Sequence, residues 1–298
     1  MANEVRSSGE VIRALEARGH DASELSPIGV RPGLGEYLAQ LWGRRHFIWF
    51  DSRHRAATQN TRNRLGNLWL VLRPLLDAAA YYVIFGYILQ TDRGLENFPA
   101  FLLIGVLMFR STLAAISSGA NSMRGSRSMI KAFTFPRASI PISTTLQNSL
   151  TAVFTMAAMC GAIIVVPPFA LPQVTWVLLV PIFLLHTMVN LGITLITARM
   201  GFYFPDLTNL MSVVGRFLMY GSAVMFPISH FVQPGLFLDI ITLNPLYRII
   251  DMTRTALIDG EVPALESWLI VLAWGLFLTL AGFVFFWRKE ANYGRELS

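Results

Sequence analysis

Six apolar runs, at about residues 67–91, 99–120, 140–166, 174–198, 207–228 and 267–287, alternate with shorter polar or basic segments. Each reaches the roughly 20 apolar residues that a helix needs to cross the hydrocarbon core of a bilayer. A soluble chain would alternate shorter apolar stripes with polar faces instead. The pattern predicts an all-α polytopic membrane protein whose six transmembrane helices occupy residues 67–288, with no internal repeat.

Weaker patterns lie around these runs. Leu34, Tyr37, Leu38, Leu41 and Trp42 recur at helical spacing, Phe47, Ile48, Trp49 and Phe50 follow, and Arg44, Arg45, Arg53 and Arg55 are interleaved. Aromatic residues on one side and arginines on the other predict an amphipathic helix and linker over 34–66, lying in the membrane interface. A helix packed on protein would show the same pattern, and both readings stay open. Residues 1–33 carry mixed charge and several Pro and Gly, and read as a tail with no core of its own. Residues 289–298 form a second tail. Between the fifth and sixth runs, Leu236–Leu243 and Leu246–Leu257 are apolar but too short to cross, and Asn244-Pro245 separates them. They predict re-entrant or interfacial helices that enter and leave on one face.

Charge sets the orientation. The chain has 24 Lys and Arg, a net charge of +6 and a pI near 9.8. Arg93, Arg248 and Arg254 fall on one side and Arg73, Arg110 and Arg216 within the runs; the remaining cations all fall on the other side. That asymmetry places both termini in the cytoplasm. The basic pI therefore reflects topology, and no nucleic-acid partner is expected. No cleavable signal peptide is expected either, because the first strongly apolar segment starts near residue 67 and can direct its own insertion.

Catalytic chemistry is missing from the motifs. No phosphate-binding G-x-x-x-x-G-K-[ST] loop, H-E-x-x-H pair or D-x-D occurs, and Cys160 is the single cysteine, inside the third run. Neither a catalytic site nor a metal site is expected. Asp77 is the main carboxylate within the runs, and Asp206 can cap the fifth helix. A proton- or sodium-coupled carrier needs more buried carboxylates than that. Energy for transport is therefore expected from a separate chain.

Three groups of residues carry candidate functions. The loop Asn121–Ala138 is basic through Arg124, Arg127, Lys131 and Arg137, yet Met123, Met129, Ile130, Phe133 and Phe135 are more apolar than a solvated hairpin needs. A short helix docking onto a cytoplasmic partner accounts for both features. At the inner interface, Arg44, Arg45, Arg53, Arg55, Arg62 and Arg64, with Trp42, could receive an anionic headgroup or pyrophosphate; anionic lipid alone would also account for them. Within the runs, Arg110 and Arg216 sit near mid-membrane, where an arginine costs at least ~2.5–3.5 kcal/mol unless it faces a wet cavity or a partner. Asp77 is a possible partner for either. Tyr81, Tyr82 and Phe85 could line a carbohydrate path, although packing explains them equally.

Three segments and one nearby proline, four features in register, resemble the permease subunits of polysaccharide ABC exporters of the ABC-2 type, which move O-antigen, capsule or teichoic acid. They are Thr61-Arg-Asn-Arg-Leu-Gly-Asn-Leu-Trp-Leu-Val-Leu-Arg-Pro-Leu-Leu76, Ile130-Lys-Ala-Phe-Thr-Phe-Pro-Arg137, the nearby Pro141, and Asn244-Pro-Leu-Tyr-Arg-Ile-Ile-Asp-Met-Thr-Arg254. The resemblance runs over roughly Leu34 to Leu297. It implies a homodimeric channel with two copies of a separate ABC ATPase, which would hold ATP and Mg, so that this chain carries no cofactor. Asn121–Arg137 would be the coupling helix and Leu34–Phe50 the gate through which substrate enters from the cytoplasm. The substrate implied is a long glycan, often on a polyprenyl pyrophosphate anchor, in the bacterial cytoplasmic membrane. The tail and arginine content look most like actinobacterial members that export cell-wall galactan. Two positions depart from the family: Arg110 stands where many relatives carry an aromatic, and Pro205-Asp206 where many carry Arg-Asp. An ABC-2 permease for lipids or drugs, a membrane enzyme acting on polyprenyl-linked sugars, and a secondary carrier are the alternatives.

Overall fold

The computed structural model describes residues 33–59, 66, 68–88, 97–133, 135–204, 206–226, 235–290 and 293. Among the described residues all regular structure is helical. Among the described residues, four helices are long and apolar enough to cross a membrane: α4 (Phe98–Gly125), α6 (Ser139–Val165), the Val174–Tyr203 segment whose main part is α7 (Leu179–Tyr203), and α11 (Leu265–Trp287). The chain is a polytopic helical membrane protein.

The other two predicted spans differ in length from expectation. The first becomes α3 (Leu68–Tyr81) followed by a π turn, Tyr82–Ile88, and only Leu75–Ile84 within it is strongly apolar, since Arg73 and Asp77 interrupt its first half. The fifth becomes a 15-residue helix, α8 (Leu207–Gly221). Asp206 stands at its N-cap position, but its side chain makes no capping hydrogen bond. The predicted interfacial helix breaks at Arg44 into α1 (Leu34–Gly43) and α2 (Arg45–Thr58). The basic loop folds as the short helix α5 (Arg127–Ala132), and the two apolar pieces before the last span fold as α9 (Leu236–Thr242) and α10 (Pro245–Arg254).

Helix α4 lies at the centre and packs against α6, α7, α8 and α10. Its start is fixed by Asn97, whose side chain accepts the Ala100 amide at 3.2 Å, with Pro99 in the first turn where a missing N–H costs nothing. Helices α7 and α11 make the most extensive pairing, and glycines permit it. A Cβ on Gly282 would meet the Gly192 carbonyl oxygen at 2.7 Å, and one on Gly201 would strike the Ala120 backbone in α4. Small residues at crossings let membrane helices approach until backbone dispersion and weak hydrogen bonds hold them.

Polar side chains run along the same crossings. Thr112 and His186 pair at 2.8 Å, Asn148 donates to Ser118 at 2.7 Å, Asn190 to Ser111 at 3.4 Å and Ser149 to Thr187 at 3.4 Å. His186, Asn190 and Thr194 lie four residues apart, so they share one face of α7. These bonds cross between helices, each contributing about 0.6–2 kcal/mol, although the Asn190 Oδ1 is buried without a partner.

Helix α10 closes the end opposite α5, and the asparagine–proline motif explains its start. Asn244 accepts the Leu246 amide at 2.9 Å while donating to the Gly221 carbonyl and the Ser222 hydroxyl. Arg248 joins this element to the last span through Ser267 at 3.1 Å and Glu266 at 2.8 Å. The far end of α10 is buried with the main core, which includes Ile249, Ile250, Met252, Ala256 and Leu257.

Candidate functional site

At the end of the bundle that carries α5, a second apolar cluster joins elements from both termini. Tyr37 of α1, Met123 of α4, Ile130 of α5, Ala138 and Ile140, Leu195 and Ala198 of α7, Phe286 of α11 and Tyr293 are its buried members. The residues singled out in the basic loop divide around it, with Met123 among its buried members. Ile130 is buried in the cluster, and Met129 and Phe135 are half-buried against it. Arg127, Lys131 and Phe133 point outward, Phe133 at 66% exposure. Arg124 is half-buried at the end of α4, and Arg137 turns back onto Glu290. The hairpin thus has an anchored face and a free face carrying two cations and one aromatic ring.

Helix α2 lies along α6, and α1 reaches the hairpin through Tyr37, which meets Ala138. Trp42 and Phe50 are about seven-tenths exposed, and Phe47 and Trp49 are also exposed, among Arg44, Arg45 and Arg53. Such a face suits a membrane interface. Arg44 stands 6.0 Å from the Phe135 ring, which brings a predicted gate residue against a predicted coupling residue. Arg45 folds over Trp42, and Arg55 pairs with Asp51 at 2.8 Å. Asp51 in turn accepts the Ser143 hydroxyl, and Ser52 donates to the Ser143 carbonyl at 3.0 Å, fastening α2 to α6. Arg62 and Arg64 lie outside the described residues.

Deeper in the bundle, Arg110 forms an ion pair with Asp77 of α3. It borders a cavity of about 220 Å³ whose wall is largely apolar, with Leu107, Met108, Met156 and Phe183, and into which Trp69, Ser111, Asn148, Thr151, Thr155 and His186 bring polar groups. Hydroxyls, an amide, an imidazole and an indole around one arginine can satisfy a polyhydroxy or anionic group in hydrocarbon surroundings. The other predicted lining residues do not converge here. Tyr81 packs against the main core, and Tyr82 borders a separate apolar cavity with Leu75, Leu103 and Ile163. Arg216 lies on the exposed face of α8 beside Phe217. Phe85 falls in the π turn, its side chain outside the described residues.

The motif residues of the chain, the central α4 and the hairpin between the second and third predicted spans agree with one family. The model of the ABC-2 type transporter family matches residues 53–258, more than half of the chain. The chain belongs to the ABC-2 type transporter family. Among curated proteins, it is similar to the O-antigen export system permease protein RfbA of Klebsiella pneumoniae, at 28% identity covering 78% of this chain and 88% of that protein. The corresponding permease of Myxococcus xanthus is 23% identical, with the same coverage of both chains. The polysialic acid transport protein KpsM of Escherichia coli is 27% identical over 67% of this chain and 76% of its own length.

Sequence reasoning missed several residues of this ABC-2 chain that the structure brings together. Tyr37 reads as one more apolar position of an amphipathic helix, and Glu290 as one tail charge. His186 and Asn148 are single polar residues in apolar runs. The available signal was their cost: a lone His or Asn in a span needs a partner on a neighbouring helix.

Proposed function

We propose that this chain is the channel-forming subunit of an ATP-driven exporter that moves a cell-envelope polysaccharide across the bacterial cytoplasmic membrane. Its partners in this reading are a second copy of itself and two copies of a separate ABC ATPase, which hold the ATP and Mg. The chain crosses the membrane six times, with α3 and its π turn as the first crossing and α8 as part of the fifth, and both termini face the cytoplasm. The substrate is a glycan on a polyprenyl pyrophosphate anchor, with galactan the candidate. It is presented at α1–α2 and passes the Arg110 cavity.

The observation that carries this reading is the α5 hairpin. Its inward face is buried and its outward face offers Arg127, Lys131 and Phe133 to no element of the described chain. Such a surface suits a protein partner at the basic end of the bundle. The relatives support the substrate class, since those named above export O-antigen or transport polysialic acid. Purification in mild detergent should recover a separate ATPase in equal amount. Depletion of the chain in its host should leave undecorated envelope and lipid-linked polymer inside the cell. Recovery without any ATPase, or depletion that traps a drug or lipid and no polymer, would overturn the respective half of the reading.

A further inference from the structure

The cytoplasmic cluster holds one buried polar node that packing does not require. Tyr37, 1% exposed on α1, donates its hydroxyl to Glu290 Oε2 at 2.8 Å and accepts the Ala138 amide at 2.9 Å. The other carboxylate oxygen, Oε1, accepts the Arg137 amide at 2.8 Å, and the Arg137 guanidinium bonds the Glu290 carbonyl. Glu290 lies just past the last span and is itself 6% exposed. Residues 253 and 153 positions apart thus meet at one carboxylate.

The surroundings make this junction stiff. Phe283 lies 6.0 Å from the Tyr37 ring, and Phe286, Tyr293, Met123 and Ile130 enclose the rest. Burial pushes the Tyr37 phenol far up, so its hydroxyl keeps its proton and can donate. In an apolar shell hydrogen bonds are not readily exchanged for water, and a broken one strands a buried carboxylate. Arg137 and Ala138 are the residues through which α5 continues into α6. A push on the free face of α5 therefore reaches Arg137, and from there Tyr37 on the gate helix.

We infer that Glu290 and Tyr37 are positioning residues that carry displacement of the α5 hairpin to helix α1, so that the gate moves with the ATPase. The inference rests on the exporter reading above. It assigns a mechanical role to the segment after the last span and to a tyrosine otherwise indistinguishable from core.

The test uses the full complex of permease and ATPase in proteoliposomes. The variants are Tyr37→Phe, which keeps the ring and removes the hydroxyl, and Glu290→Gln, which keeps shape and acceptor. A probe on Gln40→Cys in a Cys160→Ala background reports movement of α1. In the parent complex, ATP should shift the Gln40 probe signal and drive export. Tyr37→Phe should retain ATPase binding and hydrolysis within twofold, lose the ATP-dependent probe shift, and export at least tenfold less polymer per ATP. Glu290→Gln should fall between the two. Polymer exported per ATP at the parent value in both variants overturns the inference while leaving the exporter reading intact. So does a loss of export that only tracks loss of thermal stability or of ATPase binding, since that marks a structural staple. If Tyr37→Phe does not fold, Glu290→Gln decides alone by the same ratio. A parent complex without ATP-dependent export overturns the exporter reading itself.

Discussion

Arg254 donates to the carbonyls of Phe101, Ala223 and Val224 and lies against the Phe101 ring. Ala223, with φ +48°, marks where α8 has ended and its backbone carbonyls need donors. Irregular backbone among membrane helices persists only where it is satisfied internally. The Phe101 carbonyl lies inside α4 and keeps its helical partner, but the Ala223 and Val224 carbonyls lie past the end of α8, and stranding those two at about 1–3 kcal/mol each removes a large share of the stability of a domain. Arg254→Ala should therefore abolish recovery of monodisperse protein in detergent, and Arg254→Lys should rescue little, because one ammonium cannot reproduce the planar fork. A folded, monodisperse Arg254→Ala variant would contradict this account. Arg110 poses the opposite case. It is paired by Asp77 beside a cavity, so Arg110→Leu leaves a carboxylate without its partner. The double variant Arg110→Leu with Asp77→Leu should fold better than either single variant, yet export poorly. A double-mutant cycle on thermal stability checks the first claim, and polymer export the second.

Among the elements, the α5 hairpin gives the sharpest contrast. Phe133 is exposed while Ile130, three residues earlier, is buried at 4%. Phe133→Asp should leave thermal stability within about 0.5 kcal/mol and sharply weaken ATPase association, the usual outcome of a surface change at a docking face. Ile130→Asp should destabilise the permease itself by several kcal/mol, through a buried charge with no partner. Melting curves of the permease alone and co-purification of the ATPase separate the two. This division of the hairpin into a buried anchor, Ile130, and an exposed ring, Phe133 just past the end of α5, was not legible in the sequence, where both residues are simply apolar. The helix itself was legible, from the apolar residues of the basic loop. The break before α10 was legible at Asn244-Pro245, and the structure adds its cause, since Asn244 caps the helix and Pro245 opens it. The break at Arg44 and the shortness of α8 were not, because a helix end inside a continuous apolar pattern is set by what packs beside it.

For the whole molecule, orientation is the property most easily tested. Cys160 is the single cysteine, so Cys160→Ala gives a clean background. Ser128→Cys on the exposed face of α5 should react with membrane-impermeant maleimide only after cells are opened, and Glu261→Cys before α11 should react in intact cells. The reverse labelling pattern would place the hairpin outside and remove the ATPase from the mechanism.

Length and composition of the apolar runs determined class, helical content and membrane residence. Each of these follows from local hydrophobicity and the span a helix must cover. The excess of arginine in particular loops determined the orientation to expect, again a local count. Tertiary structure alone decided that Tyr37 meets Glu290, that Arg254 satisfies a broken helix, and that Asp77 pairs with Arg110, beside a cavity, and not with Arg216. These are pairings between residues tens to hundreds of positions apart, and no spacing along a helix encodes which distant partner will satisfy a buried polar group. In lipid that choice falls to close packing at glycine crossings, which fixes where each polar side chain finds its partner.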